Sequence, residues 1–239
     1  FGAPIDISAD VPNNPDGLDV AVANDGTATV VWTRGEGSSR VVESTTYAPG
    51  GTFSYPVRLS ALGGSVSAPD IAVANDGTAT VVWSWRENAP DSLTVVQAAT
   101  RPSGGNYGSP VDLEAPAGQL LGSPNIAVAN DGTTTVVWSR GDYDSPGTPP
   151  KAIQAATRPP GGSFGPAVEL PGSRPEGGTP QIAISPDGSA TVAWGWSPGD
   201  GSAYAIKSAV RSPGGNFSYP DTISTGEHYF QSPIVAAAD

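Results

Sequence analysis

Cysteine and methionine are both absent from this 239-residue chain. Without cysteine there are no disulfides, no thiolate metal sites and no thiol nucleophile. The lack of both sulfur residues suits an oxidising exterior, and the location expected is extracellular or cell-surface. His228 is the only histidine, so a Ser-His-Asp triad has one candidate base, and no nucleophile motif accompanies it. Lysine is nearly as scarce, with Lys151 and Lys207 alone, and 11 basic against 23 acidic residues leave a formal net charge of -12. An acidic surface disfavours nucleic acid and anionic membranes as partners. No run of 18 apolar residues exists, so no membrane-spanning helix is expected. No initiator Met or signal peptide precedes Phe1, and the chain is expected to be processed, excised or trimmed. No stretch has helical periodicity and no Gly-rich phosphate loop leads into a helix; no cofactor is expected.

Glycine and proline are plentiful, 31 and 25 residues, and both recur at fixed positions of a repeat rather than at random. The stretch Val20-Ala-Val-Ala-Asn-Asp-Gly-Thr-Ala-Thr-Val-Val-Trp32 returns at Ile71–Trp83, at Ile126–Trp138 and, with drift, at Ile182–Trp194; a fifth copy opens at Ile234. Its β-branched and small residues flank Asp-Gly, which tolerates the positive φ of a tight primed turn, so each copy predicts strand, turn, strand. The alternating alanines, as at Ala72 and Ala74, suit strands that converge near an axis. The tryptophan that closes each copy is expected to pack between units.

Three further segments complete the unit. The runs Val41–Thr46, Val95–Thr100, Ala152–Thr157 and Ala205–Val210 predict a third strand, with Glu43, Gln97, Gln154 and Lys207 in a solvent-facing slot. A Pro-x-Gly-Gly-like turn follows. Then come Phe53–Ser60, Tyr107–Glu114, Phe164–Pro171 and Phe217–Ser224, related to Phe1–Ser8. Their internal proline demands an edge position, because proline cannot donate to a ladder. Successive Asp-Gly turns lie 51, 55 and 56 residues apart. Four antiparallel strands in a period near 50 predict an all-β propeller of four-stranded antiparallel blades.

The apolar-apolar-x-x-Pro-Asp-Gly run of Ile182–Trp194 resembles the inner hairpin of TolB-like and WD-type propeller repeats. The Trp-Asp dipeptide and Gly-His pair of WD repeats are missing. The Asp-box of sialidases differs too, since Gly26, Gly77, Gly132 and Gly188 directly follow their aspartates. Taken whole, the repeats resemble those of large secreted bacterial repeat proteins of unassigned role, a resemblance that implies fold alone.

The expected layout is one repeat domain over 1–239, with blades at 17–60, 69–114, 124–171 and 180–224. A partial fifth is split between 1–8 and 232–239. That fifth unit lacks its two middle strands, which are expected to follow Asp239 in a longer precursor or to come from a neighbouring chain. Self-association through the incomplete blade is the corresponding partner expectation.

Function usually resides in variable loops on a rigid scaffold. One face carries near-identical Asp-Gly and Pro-x-Gly-Gly turns; the other carries the variable loops 34–40, 85–93, 140–151, 196–204 and 225–231. The candidate ligand-binding residues are Trp85, Arg86, Arg140, Tyr143, Trp196, Tyr204, His228 and Tyr229. Aromatic platforms beside charged and amide groups suit a carbohydrate or protein ligand, and repetition would make binding multivalent. Asp142 and Asp144, with Glu36 or Asp200, are the oxygen ligands available to a calcium ion, but the full loop motif is absent and no metal is expected. Arg101, Arg158 and Arg211 recur at one slot and are expected to be solvated surface residues that do not converge. The leading expectation is therefore a non-enzymatic binding module or structural repeat element. The alternatives are a sialidase-like glycoside hydrolase and a fibre or coat building block.

Overall fold

The computed structural model describes residues 4–8, 15–89, 92, 94–114, 119–142, 152–174, 176–197, 204–226 and 233–236. These residues form four antiparallel sheets and contain no α-helix. Sheet 1 runs β1 (Asp16–Val22), β2 (Ala28–Arg34), β3 (Val41–Tyr47), β4 (Val57–Arg58), with each strand beside the next. Sheet 2 contains β5 (Gly64–Val66), β6 (Asp70–Val73), β7 (Ala79–Glu87), β8 (Thr94–Arg101) and β9 (Val111–Glu114). Sheet 3 contains β10 (Gln119–Leu121), β11 (Asn125–Val128), β12 (Thr134–Asp142), β13 (Ala152–Arg158) and β14 (Val168–Glu169). Sheet 4 contains β15 (Glu176–Gly177), β16 (Gln181–Ile184), β17 (Ala190–Ser197), β18 (Tyr204–Arg211) and β19 (Asp221–Gly226).

Sheets 2, 3 and 4 are four-stranded in substance, because β5 and β6 both pair with β7, β10 and β11 with β12, and β15 and β16 with β17. Each inner strand is interrupted at Pro69, Pro124 or Pro180, where the chain has no N–H to give to the ladder. It resumes one step later, so inner strands begin at Gly64, Gln119 and Glu176, earlier than the repeat pattern suggests. The outer strands pair through few residues, as in Glu43↔Arg58 and Ser44↔Val57, beside the prolines that mark an edge.

The Asp-Gly hairpins differ from expectation in one detail. Gly26 N–H donates to the Ala23 carbonyl at 2.9 Å, inside a ladder closed by Ala23 N–H to the Thr27 carbonyl at 2.8 Å. This is a three-residue loop ending in a left-handed glycine (φ 83°), not a two-residue primed turn. The aspartate holds it, since Asp25 Oδ1 accepts the Thr27 N–H two residues on, at 2.8 Å. Asp76, Asp131 and Asp187 repeat that bond at 2.8, 2.7 and 2.9 Å.

Each apolar cluster spans two consecutive sheets. Val31, Val42 and Leu59 of sheet 1 pack with Ile71, Val81 and Trp83 of sheet 2. The next cluster joins Val82, Val96 and Leu113 to Ile126, Val136 and Trp138, and a third joins Val137, Ile153 and Leu170 to Ile182, Val192 and Trp194. Trp83, Trp138 and Trp194 are therefore packing residues between units, each with 0% exposure, while Trp32, 1% exposed, belongs to none of the three clusters. Polar ties run the same way. Asn24 Nδ2 donates to Asn75 Oδ1 (3.2 Å), Asn75 Nδ2 to the Asn130 carbonyl (2.9 Å) and Asn130 Nδ2 to the Pro186 carbonyl (3.3 Å).

Face-to-face stacking overturns two expectations about solvent. The slot of Glu43, Gln97, Gln154 and Lys207 is not solvent-facing: Glu43 and Gln154 are buried and the other two half-buried. Gln97 and Gln154 lie opposite Trp83 and Trp138, on the face that packs on the preceding sheet, so alternation there does not mean wet and dry. Glu43, on the far side of sheet 1 from sheet 2, is held in a two-pronged pair with Arg34. Arg101, Arg158 and Arg211 are also buried, each between two sheets. Arg158 donates to Thr80 and Thr134 from one terminal nitrogen and to Thr100 from the other, and its guanidinium lies 5.3 Å from the Phe164 ring centroid.

The stack is open at both ends among the described residues. Val20 and Val22 occupy the slots of Ile71 and Val73 yet are 53% and 62% exposed, and Ile223 in the slot of Leu113 and Leu170 is 63% exposed. Pro4–Ser8 and Pro233–Ala236, the described parts of the expected split unit, form no strand and no ladder with each other.

Candidate functional site

The variable loops leave the sheets at one end, and the residue two places beyond each repeat tryptophan sits at that rim. In order these residues are Arg34, Trp85, Arg140 and Trp196. Placing the four copies in register would have shown this alternation, but reading the loops one at a time missed Arg34. Each of the four is half-buried and tied differently. Arg34 forms a two-pronged ion pair with Glu43, which raises the arginine pKa further above its usual range. Arg140 bridges Glu114 (3.0 Å) and Glu169 (3.4 Å). Arg174 also pairs with Glu169 at 2.7 Å, and this contact is the main reason the Glu169 carboxyl lies below its usual range.

The two tryptophans differ as well. Trp196 donates from Nε1 to the Arg174 carbonyl (3.2 Å) and carries the Lys207 ammonium 3.7 Å from its ring centroid. Partial burial lowers the Lys207 pKa. Trp85 lies across the inner strand: a Cβ at Gly64 would stand 2.5 Å from the indole nitrogen, so that position must be glycine. Beside it, Arg86 donates to Ser92 Oγ at 3.2 Å. Together with Ser65, Thr94, Gly122 and Ser123 they line a cavity of about 300 Å³ between sheets 2 and 3. Trp85 Nε1 and Thr94 Oγ1 are buried there without partners among the described residues.

Of the other residues singled out in the sequence, Tyr204 opens β18, half-buried, opposite Gly226. Tyr143, Asp144, His228 and Tyr229 lie outside the described residues, as does the side chain of Asp142, the last residue of β12. Among the described residues no group of three or more His, Asp or Glu side chains could hold a metal ion.

A second ring of polar residues lies deeper, on the inner strands, at Asp19, Asp70, Asn125 and Gln181. Ile71 N–H is shared by Asp19 Oδ2 (3.1 Å) and Asp70 Oδ1 (2.9 Å), and Asp70 Oδ2 accepts the Ile126 N–H at 3.0 Å. Burial, then the hydrogen bond and charge of Asp19, push Asp70 up to about 7. A carboxylic acid held protonated near neutrality has the profile of a catalytic acid. Here, however, its oxygens are occupied by backbone and by Asp19, and its evident work is to tie one sheet to the next.

The sign of its pH effect follows. The unfolded carboxyl ionises near 3.8 while the folded one keeps its proton to about 7. Stability is therefore lost as pH rises through that window, and the loss is complete above it. Asp70→Asn copies the amide that sheet 3 has at Asn125. The variant has one acceptor for two N–H groups, so it is expected to lie about 1–2 kcal/mol below the parent at pH 4 and to gain on it by on the order of 2–4 kcal/mol between pH 4 and pH 8 in urea unfolding. A difference that is the same at both pH values would refute the shared proton.

No family model and no curated protein matches the sequence. Solved structures do match. An ulvan lyase, a polysaccharide lyase bound to a GlcA–Rha3S oligosaccharide, is similar over 87% of this chain and 55% of its own, with 10% identity and TM-score 0.63. The BP39L lectin of Burkholderia pseudomallei is similar over 93% and 60%, with 16% identity and TM-score 0.63. The fold is propeller-like. The α-L-arabinanase of Penicillium chrysogenum, complexed with arabinobiose, follows at 14% identity and TM-score 0.59, over 87% and 65%. The chain spans little more than half the length of the lyase. Most of these similar proteins cleave glycans, and this overturns the expectation that the chain is not an enzyme.

Proposed function

We propose that this chain acts on carbohydrate, engaging a glycan along the loop rim and cleaving it as a glycoside hydrolase or polysaccharide lyase does. The observation that carries the reading is the alternation Arg34, Trp85, Arg140, Trp196 at equivalent slots of successive blades. Flat aromatic faces stack on sugar rings, and the Arg34–Glu43 and Arg140–Glu114–Glu169 pairs set fixed polar groups beside them. Several such slots on one rigid rim suit a polymer better than a single small molecule. The ligands named for the similar lyase and arabinanase support the same class. The scarcity of sulfur residues supports a place outside the cell, where polymeric glycans are met.

Two assays test the proposal: affinity electrophoresis through gels of neutral and acidic polysaccharides, and product analysis for new reducing ends or unsaturated uronates. Retardation and cleavage by the parent chain are expected, with Trp85→Ala and Trp196→Ala each weakening retardation by about tenfold. No retardation and no product on any polymer would overturn the proposal.

A further inference from the structure

The opposite face, with its near-identical Asp-Gly and Pro-x-Gly-Gly turns, holds one seam unlike the rest. Between sheets 2 and 3, Arg158 binds Thr80 and Thr100 of the preceding sheet at 2.9 and 2.7 Å. Between sheets 3 and 4, Arg211 binds Thr135 and Thr157 at 2.8 Å each. Between sheets 1 and 2, Arg101 keeps only the Thr29 bond, at 2.9 Å. Its other repeat partner, Thr46, is in place on β3 but is not bonded to it among the described residues. The guanidinium of Arg101, 5.7 Å from the Tyr107 ring centroid, is thus held by fewer bonds than its two counterparts among the described residues, while the Nε is buried without a partner there in all three.

This seam is also wider than the one beside Arg211: a cavity of about 840 Å³ opens there, against about 100 Å³. Asp25, Thr46, Tyr55, Arg101, Ser103 and Asn106 all line it. Tyr55 is 92% exposed, a ring presented to solvent. Asp25 stays ionised: the Thr27 N–H bond, foremost, and the nearby Arg101 charge hold its carboxyl below the usual range. The cavity therefore joins an exposed aromatic face, the guanidiniums of Arg101 and Arg58, one carboxylate acceptor and several hydroxyl and amide groups. With one carboxylate between two guanidiniums, it offers donors and an acceptor together, the set that vicinal hydroxyls need.

We infer that the seam between sheets 1 and 2 is a binding site for an oligosaccharide, separate from the loop rim. A sugar ring stacks on Tyr55 while vicinal hydroxyls bridge Arg101 and Asp25. The inference stands on the cavity and the under-bonded arginine; it rests on the carbohydrate reading only for the class of ligand.

The test is calorimetric titration of the full chain with arabinobiose, xylobiose, cellobiose and mannobiose. At least one is expected to bind, with affinity reduced about tenfold by Tyr55→Ala and unchanged by Trp85→Ala. Tyr55 is so exposed that its truncation leaves the fold intact, and Asp25→Asn provides a second variant, expected to weaken binding without loss of the hairpin. Binding indifferent to both Tyr55→Ala and Asp25→Asn overturns the site. So does the failure of all four disaccharides to bind while polysaccharide retardation persists, an outcome that leaves the loop-rim reading standing. Disaccharide binding that survives the loss of all polymer retardation sustains this site and sinks the other.

Discussion

Trp138→Ala is expected to cost about 3–5 kcal/mol of stability, near the upper end for a core truncation. The indole has no exposed surface and is enclosed by Val82 and Val96 of sheet 2 and by Ile126, Val136 and Ala156 of its own sheet. Its removal opens a cavity in the seam itself, which neither sheet can close without moving against the other. A finer contrast separates packing from hydrogen bonding. Trp138 donates Nε1–H to Glu114 Oε2 at 2.6 Å, whereas Trp194, equally buried in the homologous slot, has an Nε1 with no partner among the described residues. Trp138→Phe breaks a charge-assisted bond, while Trp194→Phe deletes a buried donor that was already unsatisfied. The first is expected to be the costlier by about 1–2 kcal/mol in urea unfolding. If both phenylalanine variants lose the same stability, the indole–carboxylate bond contributes nothing.

The hairpins, the edge prolines and the repeat tryptophans were legible because each depends on local chemistry repeated in register. At Asp25, Asp76, Asp131 and Asp187 the Asp-Gly pair closes a hairpin, and a proline excludes itself from an inner ladder. The slot of Gln97 and Gln154 was not legible, because its burial depends on a second sheet stacked over the first, and polar residues in a strand read as wet unless that sheet is known. The same blindness hid the carboxyl pair. Asp19 and Asp70 are 51 residues apart, and only the stacking of sheet 1 on sheet 2 brings both to the Ile71 N–H. The candidate rim was half-legible. Trp85, Arg140 and Trp196 stand out within their loops, whereas Arg34 and the cavity under Thr46 emerge only when equivalent slots are compared across sheets.

Arg158→Ala decides between the surface and the seam as the home of the recurring arginine. A solvated arginine can be truncated at a cost within about 0.5 kcal/mol. Arg158 instead has an exposure of 8%, three threonine hydroxyls within 3.0 Å and an aromatic face beneath it. Burial lowers its pKa, the charge of Asp76 opposing that shift, so the cation is held chiefly by neutral hydroxyls and a ring. Truncation removes the fork and leaves Thr134 without it; Thr80 and Thr100, 3.4 Å apart, can turn to each other and recover part of the loss. The net cost expected is about 2–4 kcal/mol, read as a lower urea midpoint at unchanged slope. Arg158→Lys is expected to recover less than half of it, because an ammonium cannot reach hydroxyls on both sheets at once. The same change at Arg101, with one threonine bond in place of three, is expected to cost at least 1 kcal/mol less. Equal losses at the two positions would mean that Arg101 is as fully engaged as Arg158, and that the seam between sheets 1 and 2 has no donors to offer a ligand.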